Sequence, residues 1–391
     1  ETMTEQAFVC DMHRETVPGG LFAATVTPLA SIFGSGFLVI AAILSAAVGR
    51  YAVFAMAGIC VLAYAIGAVM RHNIRNVEPL LFNRKLPAWP TRLELISDFA
   101  LVMAYVISVT LYLRIMASFA LNLLGSDSEL NQSLVVSACI AAIMVFAVWR
   151  GLRSLEFMEK WALVLTMAIM LVLLATFVRL DISILANGVL KLPEATAESP
   201  LHALLLLGGT VIVVQGFETT RYLGEHYCPE TRIRASRLSQ IVSTIVYVAF
   251  IALITPHTHL LDGVMSDSGL LDIVKQVATF LVLPLVGAAI FSQFSAAIAD
   301  TIGGTGNMRD RTDGKIPERW IYAAILAVAL ILTWSADTAQ VLVLASKAFA
   351  FYYGLQCLVA ALISNDIRIK AGAGLLAAIM FLITAFAIPV G

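Results

Sequence analysis

Residues 27–37 read Thr27-Pro28-Leu29-Ala30-Ser31-Ile32-Phe33-Gly34-Ser35-Gly36-Phe37. They sit inside an apolar stretch, 21–48, that is long enough to cross a bilayer, yet they carry a proline and two glycines. Glycine inside a helix costs about 1 kcal/mol relative to alanine and lets backbones approach closely. The pattern predicts a membrane span that breaks at mid-depth. A second such place lies far along the chain, where Gly208-Gly209-Thr210 is followed by Gln215-Gly216-Phe217-Glu218-Thr219-Thr220-Arg221. Tight helix packing through small residues is the other source of such glycines.

The surrounding composition is that of a membrane protein. The 391 residues are 60% hydrophobic and 13% charged, with a mean hydropathy of +0.90. A soluble domain carries roughly 25% charged residues. Half that fraction over this length excludes a soluble enzyme, a nucleic-acid binder and a disordered scaffold. Basic (25) and acidic (26) residues nearly cancel, so the global charge implies no polyanionic partner. The five cysteines are far apart and form no CxxC pair, which predicts reduced residues in the membrane core or at interfaces.

A span needs about 20 mainly apolar residues. Eleven such stretches occur, near 21–48, 51–70, 93–124, 132–149, 157–180, 201–224, 236–256, 277–306, 320–335, 339–363 and 371–389. The fold class expected is an all-α polytopic membrane protein with about eleven transmembrane helices. Residues 1–20 form a cytoplasmic segment in this reading, and their mixed polarity does not match a signal peptide. With the N-terminus inside, eighteen Lys and Arg fall in inner segments, around 14, 71–92, 150–160, 232–237, 309–319 and 368–370. Four fall outside: Arg50, Arg179, Lys191 and Lys275. The positive-inside rule therefore places the C-terminus outside, in a plasma membrane of bacterial inner-membrane type. Within 262–276, Leu270, Leu271, Val274 and Val277 recur at helical spacing. They fit a short helix over the outer face or an ordinary loop.

Spans one and six are equivalent positions if the chain is two repeats of five, 21–180 and 201–363, with 364–391 adding one more helix. Interrupted helices at corresponding places in two halves point to a transporter's midplane site, because unwound backbone offers N–H and C=O groups to a substrate or a coupling cation.

Gly34-Ser35-Gly36 resembles the small-residue break of the amino acid–polyamine–organocation (APC) superfamily, and Gln215-Gly216-Phe217-Glu218 resembles that superfamily's Gly-Phe-Glu in the sixth span. Residues 224–232, Gly-Glu-His-Tyr-Cys-Pro-Glu-Thr-Arg, are similar to its Glu-Glu-x-x-Asn-Pro-x-Arg connection. The stretch 307–317 is similar to its Met-Ala-Arg-Asp-Gly-x-x-Pro loop, with about two residues extra. The resemblance covers spans one to ten in order. It implies a LeuT-type five-plus-five inverted repeat and secondary transport of an amino acid or amine by alternating access. On that basis Ser31, Gly34, Ser35, Gly36, Gln215, Gly216 and Phe217 are the expected substrate-binding residues, and Glu218 the gating or proton-coupling residue. Asp300 and Thr301 stand where the family's second sodium site draws two adjacent oxygen side chains from span eight, so the resemblance makes them a candidate Na⁺ site. Na⁺ or H⁺ is the expected coupling ion, with no other cofactor.

Charge at bilayer depth costs several kcal/mol unless paired or hydrated. Besides Asp300 and Glu218, the spans carry Arg221, which can share Glu218's helical face, and Asp98, expected in an inner-gate ion pair. Arg114 and Lys347 are expected to snorkel outward or pair with acids. Glu225 falls near the inner boundary. Lys160 stands too close to the start of span five to serve as an internal fixed cation. Tyr105, Tyr112, Phe217, Tyr352 and Tyr353 are candidate aromatic walls.

No HExxH, no catalytic Gly-Asp motif and no matched Ser/His pair argues for an enzyme, and no repeated filter argues for a channel. Divalent-metal or other inorganic-ion transport, and nucleobase transport, are the rival substrate classes. Metal carriers of this build show Asp-Pro-Gly-Asn in span one and a methionine-containing site in span six, which 34–37 and 215–218 lack.

Overall fold

The computed structural model describes residues 20–152, 157–186, 192–194, 199–224, 226–261, 267–312 and 314–389, the side chains of Ser35, Phe157 and Asp310 excepted. The helices in chain order are α1 (Gly20–Gly36), α2 (Ile40–Val48), α3 (Ala52–Asn76), α4 (Glu78–Phe82), α5 (Ala88–Leu123), α6 (Glu129–Arg150) and α7 (Phe157–Ala186). They continue with α8 (Pro200–Gly208), α9 (Pro229–Ile254), α10 (Gly269–Val277), α11 (Val282–Arg311), α12 (Glu318–Ser335), α13 (Thr338–Ile363) and α14 (Ile367–Phe386). Among the described residues, nine helices are long and apolar enough to cross a membrane. Of the eleven expected stretches, the first and the sixth are the two built from shorter pieces.

The centre of the bundle is α5. Its buried residues run all the way round the helix, as suits an element apolar on every side, and it packs against α11 and α13. Around this post, α9 lies against α1 and α3, and α7 lies against α11 and α1. The last helix is peripheral: α14 buries Ala373, Ala377 and Met380, one stripe at i, i+4 and i+7, against α13. Phe381 lies against Gly354 of α13, where a Cβ would come within 2.9 Å of its ring.

Span one breaks where the glycines stand. Helix α1 ends at Gly36, residues 37–39 turn, and α2 resumes at Ile40. Span six breaks more completely. Helix α8 stops at Gly208, a 3₁₀ turn covers Val211–Val214, Gln215 is extended, and Gly216 takes φ +128° before a second 3₁₀ stretch, Phe217–Leu223. An L side chain rarely adopts that φ, so glycine at 216 is dictated by the backbone. A 3₁₀ stretch in mid-span is a frequent mark of a functional hinge.

The stretch after span seven holds a real helix. In α10, Leu270, Leu271, Ile273 and Val274 are fully buried, and Gly269 fits against Ala42 of α2. Residues 262–266 lie outside the described residues.

Candidate functional site

The two breaks touch. Gly36 lies against Val213, where a Cβ would fall 2.7 Å from the Val213 Cα. Gly216 lies against Ser31 and Ile32, where a Cβ would fall 2.6 Å from the Ile32 nitrogen. A single hydroxyl bridges both: Tyr247 of α9 reaches Ile32 O at 2.9 Å and Val213 O at 3.1 Å. Other groups freed by unwinding find side-chain partners as well. Gln293 Nε2 donates to Gly34 O at 2.9 Å, and the Ile212 amide donates to Ser346 Oγ at 3.2 Å. Ser346 in turn donates to Gly209 O at 2.7 Å. Buried backbone polar groups must be paired, and side chains of α9, α11 and α13 pair these.

Glu218 completes this arrangement. Its side chain is fully buried, and Oε2 accepts from the Gly216 amide at 2.8 Å and from the Tyr353 hydroxyl at 2.7 Å. The Phe217 ring stacks on Tyr353. The expected pairing of Glu218 with Arg221 does not form. The carboxylate turns back onto the amide that the break stripped of its helical acceptor. Arg221 reaches the other way, to Glu94 of α5 at 2.8 Å and to Glu78 at 3.6 Å, and donates to Gln356. Arg232 holds Glu78 by two hydrogen bonds, at 2.7 and 3.2 Å, and also donates to Arg221 O. This network fastens α4, α5, α9 and the second half of span six to one another.

A cavity of about 1010 Å³ opens beside the breaks. Its lining runs from Ser31, Phe33, Gly34, Tyr105, Tyr112 and Asp300 to His226, Arg309 and Arg311. Of the residues expected to bind substrate, Ser31 and Gly34 line it. Gly36, Gln215, Gly216 and Phe217 are packed behind its wall, as is Glu218. The side chain of Ser35 lies outside the described residues. Asp300 lines the cavity, and its Oδ2, itself buried, has no hydrogen-bond partner among the described residues. Tyr112 lines the same cavity, and its hydroxyl accepts from Gln215 Nε2 at 3.1 Å. Thr301 is fully buried, is not part of the lining, and donates its hydroxyl to Ala297 O at 2.7 Å. The two adjacent oxygen side chains therefore do not face the same space.

Asp98 pairs with Arg311 of α11, and both line the cavity. Arg114 departs from expectation: it neither snorkels nor meets an acid. It is 2% exposed and donates to Thr333 O and Ala336 O, both at 2.6 Å. These are carbonyls that the end of α12 leaves without helical donors, at the negative pole of that helix. Lys347 is half-buried, Lys160 is exposed, and Glu225 lies outside the described residues. The four described cysteines are free thiols. On the face away from the cavity mouth, Asn122 donates to Ser268 Oγ at 2.7 Å and Asp272 Oδ1 at 2.9 Å, which ties α5 to α10.

Sequence reasoning passed over Glu94 and Glu78. Glu94 was detectable, because it precedes Asp98 by four residues and so shares its helical face in an otherwise apolar stretch. Nothing local marks Glu78, whose partner Arg232 is 154 residues away.

Two interrupted spans back to back, with a solute-sized cavity beside them in an all-helical membrane bundle, define a membrane transporter. The chain belongs to the APC superfamily of transporters, whose family description matches residues 16–388. An uncharacterised protein of Aquifex aeolicus (strain VF5) is 38% identical over 352 residues, 88% of this chain and 85% of that protein. Among solved structures, a variant of the Eremococcus coleocola manganese transporter superposes with a TM-score of 0.57 at 15% identity, covering 94% of this chain and 87% of that one. The same transporter in complex with an aromatic bis-isothiourea compound gives 0.54 at 14% over the same shares. At such identities the likeness is one of fold.

Proposed function

We propose that this protein is a cation-coupled secondary transporter of a small organic solute, an amino acid or an amine, working by alternating access. The observation that supports this most is the cavity lined by Gly34 and Asp300 beside both breaks and by Arg309 and Arg311 at the end of α11. With the basic segments placed in the cytoplasm, the N-terminus is inside, the cavity faces inward, and α10 covers the outer side. Two carboxylates at mid-bundle, Glu218 and Asp300, are the groups on which Na⁺ or H⁺ coupling would act. The orientation of Thr301 favours a reading in which a proton, needing one oxygen, is the coupling ion over Na⁺, which needs several.

Manganese is the substrate in the name of the solved relatives. Residues 34–37 and 215–218 of this chain carry neither the Asp-Pro-Gly-Asn nor the methionine that metal carriers of this build show, which speaks for an organic solute. Uptake into proteoliposomes tests the reading, with amino acids, amines and Mn²⁺ compared under a Na⁺ gradient and under a pH gradient. Gradient-driven uptake of an amino acid or amine is the expected result. Uptake of Mn²⁺ alone would replace the proposal with metal transport.

A further inference from the structure

Two arginines at the seam between α3 and α9 meet no acid. Arg71 of α3 is 7% exposed and donates only to neutral acceptors: Gln240 Oε1 at 2.5 Å, Ser236 Oγ at 3.5 Å and Tyr64 O at 3.4 Å. Its guanidinium lies 4.8 Å from the centre of the Tyr64 ring. Arg237 of α9 is exposed and stands close enough to act electrostatically on Arg71, so a nearly buried cation faces a second cation. Among the described residues neither takes part in an ion pair. The other arginines of the interior are compensated: Arg221 and Arg232 by Glu94 and Glu78, and Arg114 by carbonyls at the end of α12. A desolvated charge is costly without a partner, and an anion that accepts N–H bonds offsets that cost.

The surroundings are those of a lipid boundary. Arg71 lies within about two turns of Asn76, where α3 ends, and Arg237 within about three turns of Pro229, where α9 begins. The helices run antiparallel, with Gln240 reaching Ala63 O and Arg71 reaching Ser236, so both arginines belong to the same end of the bundle. That is the end which the positive-inside rule assigns to the cytoplasm. Toward mid-membrane the same faces are apolar and uncovered: Val61 and Tyr64 on α3, then Leu238, Ile241 and Ile245 at helical spacing on α9. An apolar stripe headed by cations matches a phospholipid, with its chains along the stripe and its phosphate at the guanidiniums. Basic sites between transmembrane helices near this surface recognise anionic headgroups.

We infer that the α3–α9 seam binds one anionic phospholipid, its phosphodiester held by Arg237 with Arg71 behind it and its acyl chains laid along Leu238, Ile241 and Ile245. The site is on the outer wall of the bundle, and none of these residues lines the cavity. The inference therefore stands apart from the identity of the solute. A lipid that touches both helices stabilises their contact, and α9 is the helix whose Tyr247 bridges the two breaks.

The test titrates purified full-length protein, in a neutral detergent, with three probes: phosphatidylglycerol, phosphatidylcholine of the same acyl chains, and inorganic phosphate. Binding is read as the ligand-dependent rise in Tm and as lipid retained in native mass spectrometry. Phosphatidylglycerol is expected to raise Tm. Phosphatidylcholine, whose choline offsets the phosphate charge, should bind at least tenfold more weakly, and inorganic phosphate, which has no chains, should give no shift at the concentration that saturates with lipid. Arg237→Gln, at an exposed position, should weaken phosphatidylglycerol about fivefold, and Arg71→Gln combined with it roughly 25-fold. Arg319→Gln removes the same charge from an exposed position on α12 and should leave binding unchanged. Arg237→Gln decides the matter even if the double variant fails to fold. Equal binding of the two lipids overturns the inference, as does phosphate binding as tight as lipid binding. So does an Arg237→Gln effect no larger than that of Arg319→Gln.

Discussion

Gly216 backs onto Ser31: a Cβ at 216 would stand 2.8 Å from the Ser31 side chain and 2.6 Å from the neighbouring Ile32 nitrogen. The contact joins the break of span six to the break of span one, and the +128° φ of Gly216 adds a second demand for glycine. Gly36 makes the reciprocal approach to Val213. Gly216→Ala is therefore expected to cost more than the ~1 kcal/mol of an ordinary conformational penalty. Uptake should fall at least tenfold while protein still reaches the membrane. At Gly36 the obstacle includes the Val213 Cα, so trimming Val213 to Ala should not rescue Gly36→Ala. Rescue by that second change would show that side-chain crowding alone was at issue.

The breaks were legible in the sequence because glycine clusters are rare punctuation in an apolar span. The nine long helices were legible for the same reason that makes them fold: in hydrocarbon every backbone group must be satisfied within its own segment, so length and hydropathy nearly determine the span. What each charged residue touches was not legible. Glu218 and Arg221 are three apart, and local spacing favoured a pair. Long-range neighbours decided otherwise: Tyr353 for the acid, Glu94 for the base. Arg114 escaped for a related reason, since its partners are backbone carbonyls of α12, which carry no mark in sequence.

Glu218 presents one oxygen to two donors, and a glutamine can present its amide oxygen in the same way. Glu218→Gln is expected to fold with a stability change of about 1 kcal/mol or less. If the carboxyl is the proton-linked group, its uptake should lose its dependence on pH. Glu218→Ala should be worse in a different manner. It strands the Gly216 amide and the Tyr353 hydroxyl in the interior, at about 1–3 kcal/mol for each unsatisfied group. A pH profile unchanged in Glu218→Gln proteoliposomes would leave Glu218 as a brace for the break and nothing more.

Arg221 and Glu94 form a buried pair, their side chains 7% and 1% exposed. Such pairs are costly to break from one side, about 3–5 kcal/mol, because the survivor keeps its charge without compensation. Here Glu78, at 3.6 Å, partly compensates Arg221, so Glu94→Gln should fall below that range. Arg221→Met should destabilise more, since it leaves Glu94 with Gln356 as its hydrogen-bond donor and no cation. Thermal unfolding in detergent reads both. An Arg221→Met protein as stable as the Glu94→Gln protein would mean that Glu78 contributes nothing to holding Arg221.

Asp98 on α5 and Arg311 on α11 meet at the mouth of the cavity, where the pair is partly open to solvent: Asp98 is 10% and Arg311 33% exposed at the side chain. Solvent screening keeps the stability contribution of such a pair near 1 kcal/mol or less. Its conformational effect can still be large, because an equilibrium between two states shifts by the difference in their interactions. The pair is formed here with the cavity open, so Asp98→Asn should lower the population of this open state by up to about fivefold for ~1 kcal/mol. A cysteine introduced at Ser295 inside the cavity reports that population through its rate of labelling by a maleimide added from the mouth side. Labelling should slow in Asp98→Asn and in Arg311→Gln, and recover in the exchanged pair Asp98→Arg with Arg311→Asp. Faster labelling in the single variants would mean that the ion pair obstructs the mouth instead of holding it open.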